Sequence, residues 1–182
     1  MILNGAEIFS EQAASKIKIY PFKSENVGPN SYDVTLGKTL FKILPNELRN
    51  TMDGLQGFID PMVEQKYNEI NMDHDGIILE PGRLYLGHTV EEIGSEHYVP
   101  MLEGRSSVGR MGLFIHVTAG FGDIGFQSQW TLELTTILPI RIFPGMRIGQ
   151  VFFYQCTSQS LMYHGRYQKQ DGPMESLFWK SN

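Results

Sequence analysis

The sequence predicts an all-β domain of the sandwich or barrel type with short helices, and three observations lead there. After Pro21 the apolar segments are short and rich in β-branched and aromatic residues. Glycine and proline, 19 and 9 in number, punctuate those segments at turn-like intervals. Several segments alternate polar and apolar residues, the period of a strand with one buried face. Many short antiparallel strands joined by turns point to two packed sheets, of jelly-roll type.

Taken in order, Asn4 is suited to cap a helix over about residues 5–14. Glu7 stands three residues on to complete a capping box, and Ile2 or Leu3 is placed to pack on Ile8. Candidate strands follow at 32–43, 83–90, 98–102, 113–117, 129–137, 139–143 and 147–155. In Trp130-Thr131-Leu132-Glu133-Leu134-Thr135 the apolar side chains take one face, so Thr131, Glu133 and Thr135 take the other. Residues 45–76 are polar and carry Gly54, Gly57 and Pro61; they are expected to leave the sheet, with a short helix around 63–70. Without repeats or a second compositional regime, the chain is expected to form one domain, 1–182.

Composition narrows the function classes. Lys+Arg 15 against Asp+Glu 20 gives a net charge of −5, which disfavours a nucleic-acid partner and leaves room for a local basic pocket. The single cysteine, Cys156, excludes an intrachain disulfide and a cysteine-rich zinc site, and is expected as a small buried hydrophobe. The first residues lack a basic, apolar leader, and no stretch approaches the roughly 20 apolar residues of a membrane span. A cytoplasmic, small-ligand protein without a membrane partner is therefore expected.

Three segments have the residue types for chemistry. Glu103-Gly104-Arg105-Ser106-Ser107-Val108-Gly109-Arg110 pairs two arginines with hydroxyls and glycines, either a phosphate cradle or a solvated surface turn. Thr118-Ala119-Gly120-Phe121-Gly122-Asp123-Ile124-Gly125-Phe126 surrounds one carboxylate with glycines; Asp123 serves either a ligand hydroxyl or an ordinary turn. Glu133 and Asp33 lie in strands, on a solvated face or in a lined pocket. His116, between Ile115 and Val117, reads as a satisfied, partly buried side chain, and the five histidines show no metal-ligand spacing. The polar tail 163–173 is either a frayed terminus or an arm over a site.

Together, Asn30-Ser31-Tyr32-Asp33-Val34-Thr35-Leu36-Gly37, Glu103 to Ser107, His116-Val117-Thr118-Ala119, Thr131-Leu132-Glu133, Pro144 to Gln150 and the Arg166-to-Pro173 tail resemble the dCTP deaminase family, of the same superfamily as the trimeric dUTPases. The resemblance implies a distorted jelly-roll barrel of the trimeric dUTPase type, a homotrimer with active sites at subunit interfaces, and residues 160–182 as an arm over the site. It implies hydrolytic deamination at cytosine C4, with Glu133 as proton shuttle. Ser106 and the Ala119 carbonyl would hold the water, and Arg110 would support the glutamate. Asp123 would face the deoxyribose 3′-hydroxyl, and Thr131 and Leu132 the base. Arg105, Ser106, Ser107, Gln150, Tyr163, Arg166 and Gln170 would lie near the triphosphate and base. At Arg166 many members carry lysine, which changes donor geometry.

Zinc deaminases use His-x-Glu with Pro-Cys-x-x-Cys, which one cysteine rules out. Mg²⁺ would enter bound to the triphosphate, with Asp33 as a second-shell candidate. Members that stop at dUTP typically read Thr-Ala-His-x-Ile-Asp-Pro-Gly-Trp. The sequence Thr118-Ala119-Gly120-Phe121-Gly122-Asp123 is instead similar to bifunctional members that form dUMP and pyrophosphate, Gly120 leaving space for a hydrolytic water; against this, Gly122 stands where the usual residue before the Asp is Ile, which implies a loop more flexible than in either group. The alternatives are a deaminase releasing dUTP, a plain dUTPase, or a non-catalytic nucleotide-binding trimer. dCTP and dUTP are the implied ligands, with dTTP a candidate feedback inhibitor.

Overall fold

The computed structural model describes residues 1–52, 54–158 and 161–181. Ser160 and Asn182, the end residues of the expected arm, and Asp53 of the expected excursion lie outside the described residues. Helix α1, Gly5–Ala13, starts as its sequence dictates: Asn4 Oδ1 accepts from Glu7 N at 3.1 Å, and Glu7 Oε2 accepts from Asn4 N at 2.7 Å. The strands that follow are β1 (Ile17–Tyr20), β2 (Tyr32–Thr35), β3 (Thr39–Leu44), β4 (Glu47–Thr51), β5 (Gly54–Phe58), β6 (Lys66–Asn71) and β7 (Ile77–Leu79). Next come β8 (Tyr85–Ser95), β9 (Tyr98–Gly104), the one-turn helix α2 (Ser106–Gly109), β10 (Leu113–Phe114), β11 (Gln127–Thr136), β12 (Ile140–Ile142) and β13 (Arg147–Gln155).

All the pairings are antiparallel. The larger sheet runs β10-β11-β8-β3-β6, with β1 also on β8; the second runs β2-β13-β9. Side chains from both fill the space between them, among them Tyr32, Val34, Leu102, Val151 and Phe153 from one and Ile19, Leu40, Ile93, Leu132 and Leu134 from the other. The all-β expectation is met. Among the described residues no helix is long and apolar enough to cross a membrane.

Several local expectations need correction. The strand expected at 32–43 is two, because the chain crosses between sheets at Leu36-Gly37-Lys38. Gly37 donates to His88 O at 2.7 Å, and a Cβ on it would fall 2.1 Å from the His88 ring, so only glycine permits that approach. The helix expected at 63–70 is absent; residues 66–71 form β6, paired along the whole of β3, with Tyr67 stacked on Phe41 at 4.0 Å. Cross-strand pairing outweighs the weak helical preference of this polar segment. The residues before β6 leave the sheet as the β4–β5 hairpin, whose base is held by the buried Asn46. Its side chain accepts from Asp60 N at 2.9 Å and donates to Asp60 O at 3.3 Å. The strand expected at 113–117 stops at Phe114, and β1 and β7 had no counterpart among the expected strands. Cys156 is half-buried rather than buried.

One polar tie crosses the core. Glu91 on β8 is wholly buried, and its carboxylate accepts from Thr35 N at 2.9 Å and Thr35 Oγ1 at 2.8 Å on β2. Burial pushes the Glu91 carboxyl up from its ordinary value of 4.5, with the two Thr35 donors pulling the other way. The native state then binds this proton more tightly than the unfolded chain does. The Glu91 contribution to stability is therefore greatest below 4.5 and is lost as pH rises through the native value. Glu91→Gln should flatten this part of the stability–pH curve in guanidinium melts, and an unchanged slope would exonerate Glu91. Thr35→Val, which removes one donor to a buried carboxylate, should cost about 1–3 kcal/mol by the same measurement.

Candidate active site

Strand β11 builds the site by strict alternation. Trp130, Leu132, Leu134 and Thr136 are buried, and Thr131, Glu133 and Thr135 are half-buried on the opposite side. That face opens into a cleft of about 740 Å³ lined by Ala119, Asp123, Thr131, Glu133, Tyr163 and Gln170, six residues expected at the site. A smaller cavity of about 400 Å³, beside Lys16, His97 and Cys156, holds none of the candidate residues. Within the main cleft Glu133 Oε2 accepts from Val117 N at 3.0 Å, which fixes the carboxylate by one main-chain donor. This bond also explains why the expected strand 113–117 breaks off early: the chain at Val117 turns its N–H to a side chain rather than to a ladder partner.

The remaining expected residues are elsewhere. Leu132 is buried in the core with no exposed surface and does not line the cleft, against the expectation that it meets the base. Ser106, Ser107 and Arg110 are exposed on or beside α2 and do not line the Glu133 cleft. Arg105 Nε lies 3.1 Å from Asp33 Oδ1, and Arg147 Nη1 lies 3.4 Å from Asp33 Oδ2. Gln150 is half-buried; it accepts from Ser31 Oγ at 2.9 Å and donates to Gly104 O at 3.3 Å. Asp33, Arg105, Arg147, Ser31 and Gln150 form a second cluster at the β2-β13-β9 sheet.

The tail is docked along β11 and the segment before it by both side-chain and main-chain hydrogen bonds. Tyr163 N donates to Ile124 O at 2.7 Å; Gln168 accepts from Gln127 N at 2.9 Å and donates to Gly125 O at 2.6 Å. Gln170 donates to Gln129 O at 2.8 Å and accepts from Thr131 Oγ1 at 3.2 Å, and Gly172 N reaches Gln129 Oε1 at 2.7 Å. The described tail residues are thus hydrogen-bonded beside the cleft, with Tyr163 and Gln170 in its wall. Arg166 donates to Leu177 O within the tail. Nothing in the sequence signals the docking roles of Gln129, which meets Gln170 and Gly172, or of Gln168, which meets Gln127 and Gly125, since polar residues in a strand and in a tail do not reveal their partners.

Two further residues in the cleft wall differ from expectation. His116 is half-buried with Nε2 3.2 Å from Glu103 Oε2, but its Nδ1 is buried without a partner, so it is not the satisfied side chain expected. Gly122 does not loosen the loop: it is buried, donates to Pro100 O at 2.9 Å, and faces the Trp130 indole so closely that a Cβ would fall 2.3 Å from Cη2. Nor does Gly120 open a space. Its Cβ direction meets Leu102 O at 2.5 Å and the His116 ring at 3.1 Å. Both glycines are there because neighbouring groups occupy the place of a side chain.

The sequence profile of a family described as dCTP deaminase-like matches residues 2–156. A dUMP-forming dCTP deaminase of Hathewaya histolytica is 44% identical over 181 residues, 99% of this chain and 98% of that one. One of Cytophaga hutchinsonii, also dUMP-forming, is 42% identical over 99% and 98% of the two chains. Among solved structures, the 2′-deoxycytidine 5′-triphosphate deaminase from Agrobacterium tumefaciens shares the fold, with a TM-score of 0.62 and 21% identity over 84% of this chain and 47% of that longer one.

The Trp130–Gly122 contact predicts a pairwise effect. Gly122→Ala should destabilise the protein by about 1–3 kcal/mol through overpacking, and Trp130→Phe in the same chain should recover much of that loss in a thermal melt. Simple additivity of the two changes would show that the contact is not the cause.

Proposed function

This chain belongs to the dCTP deaminase-like family, and we propose from that premise that it converts dCTP to dUMP, with ammonia and pyrophosphate as the other products. The observation that carries the reading is Glu133 in a walled cleft, half-buried, beside Ala119, Thr131 and Asp123. A water held by the Ala119 carbonyl and the Ser106 hydroxyl attacks C4 of cytosine. Glu133 takes one water proton as general base and passes it to ring N3, then takes the second from the C4 hydroxyl of the adduct and passes it to the amine, which leaves as ammonia; a second water then cleaves the triphosphate to dUMP and pyrophosphate. Val117 N–H supports the carboxylate, and Arg110 completes that support. Asp123 accepts from the 3′-hydroxyl, and Thr131 meets the base. Arg105, Ser106, Ser107 and Gln150 bind the triphosphate, and Tyr163, Arg166 and Gln170 close over it.

In one chain Ser106 and Arg110 stand outside the Glu133 cleft, which supports a site completed by a neighbouring copy in a homotrimer. Beside α2 lies an exposed apolar shelf of Met111, Phe114, Ile137 and Leu138, suited to such a contact. We place this trimer in the cytoplasm, each subunit a single 1–182 domain, with dTTP as its candidate feedback inhibitor. The Arg105 cluster offers guanidiniums and an amide, and its carboxylate, Asp33, lies between two arginines. That donor set suits Mg²⁺ carried on phosphate oxygens and its own waters; it does not suit direct ligation by the protein. Bound so, the ion supplies neutralisation of phosphate charge. Asp33 then serves to hold the arginines rather than the metal.

Purified protein with dCTP and Mg²⁺ should give dUMP and pyrophosphate without a lag through dUTP, separated by anion exchange at early times. Accumulation of dUTP alone would establish a deaminase that stops there. Glu133→Gln should reduce deamination by at least about 10³-fold while nucleotide still binds, and retained turnover would remove Glu133 from the mechanism. Truncation before Tyr163 should raise KM for dCTP severely. An unaffected KM would show that the docked arm takes no part in binding.

A further inference from the structure

Beside the Arg105 cluster stands one cation with no part in the scheme above, Arg147 at the start of β13. Its Nη1 is 3.4 Å from Asp33 Oδ2, while the other carboxylate oxygen is 3.1 Å from Arg105 Nε. One carboxylate thus lies between two guanidiniums, leaving a surplus of one positive charge. The three come together because β13 runs between β2 and β9: Gln150 is paired with Asp33 on one side and with Glu103 on the other, and Arg105 directly follows β9. Side-chain exposure is graded, 16% for Asp33, 29% for Arg105 and 49% for Arg147, so the carboxylate is inside and the cations face out. A long contact at half exposure contributes little to stability. Each guanidinium has five N–H donors, and Asp33 engages each at one edge only, which leaves a donor edge toward solvent.

We propose that Arg147 is a second guanidinium of the triphosphate site, held beside Arg105 by Asp33 and donating to phosphate oxygens of the nucleotide, an inference that rests on the assignment of Arg105, Ser106, Ser107 and Gln150 to the triphosphate. Asp33 acts as a positioning residue. Its charge lets two arginines stand close together, and it orients both toward the same space. The planar forks suit a chain of phosphates, where two anchors side by side take successive groups.

The test compares Arg147→Met, which keeps the aliphatic stem, with Arg147→Lys and Arg105→Met in the full-length protein. KM and kcat for dCTP, and inhibition by inorganic tripolyphosphate, are measured at two salt concentrations. Arg147→Met should raise KM and the tripolyphosphate inhibition constant about tenfold and weaken their salt dependence, with kcat changed much less, and Arg147→Lys should recover part of the loss. If Arg147→Met binds tripolyphosphate like the wild type while Arg105→Met does not, the role of Arg147 is overturned and the Arg105 site stands. If both bind it like the wild type, the triphosphate assignment itself falls, and the role of Arg147 with it. A lowered melting temperature in Arg147→Met with tripolyphosphate binding intact would make Arg147 a structural residue only, and that too overturns the proposal.

Discussion

The register of β11 on β8 is the constraint on which the rest depends. Leu132 lies opposite Gly87 and Glu133 opposite Leu86, with a break in register between Gln129 and Thr131. Because side chains alternate, that pairing sends Leu132 and Leu134 into the core and Thr131 and Glu133 into the cleft. A slip of one residue would bury the carboxylate and expose two leucines. The core on one face therefore fixes the chemistry on the other. Burying two leucines contributes roughly 3–6 kcal/mol before entropy, far more than any hydrogen bond available to Glu133 could offset.

The same strand anchors the arm by a different principle. A tail without apolar alternation cannot join a sheet by burying a face, and it docks instead through amide side chains that reach main-chain groups of β11. Gln168 and Gln170 satisfy Gln127 N, Gly125 O and Gln129 O, and Thr131 Oγ1 both donates to Gln170 and accepts from Met174 N at 3.1 Å. Hydrogen bonds of this kind are each worth only about 1 kcal/mol net, so the tail is held by their number rather than by any one of them.

Buried polar groups show what the architecture costs. Glu91 is held in the core with its carboxyl pushed up by burial, and His88, under the same face as Thr131, has its imidazole pushed below its ordinary value for the same reason. His88 Nδ1 is bonded to Thr89 O, while Nε2 is buried without a hydrogen-bond partner, and desolvation disfavours the charged ring. Its stability contribution has the opposite sense to that of Glu91: it is complete above the ordinary value of 6.5 and is lost as pH falls. The two groups therefore oppose each other across the mildly acidic range.

The sequence by itself determined the all-β class, the capped first helix, the two faces of β11 and the ordered motifs that carry the family resemblance. Each of these is written in local terms: a capping pair three residues apart, an alternation of period two, residues in a fixed order. It did not determine that residues 66–71 pair with β3, since a polar segment takes its conformation from a partner distant in the chain. Nor did it show why Gly120 and Gly122 are glycines, because the Leu102 carbonyl and the Trp130 indole that exclude a side chain come from other strands. Tertiary structure alone set Glu133 in one cleft, put Ser106 and Arg110 outside it, and brought Arg147 to Asp33. The physical reason is the same in each case: a site is a meeting of strands, and the chain encodes which face a residue takes long before it shows which residues that face will meet.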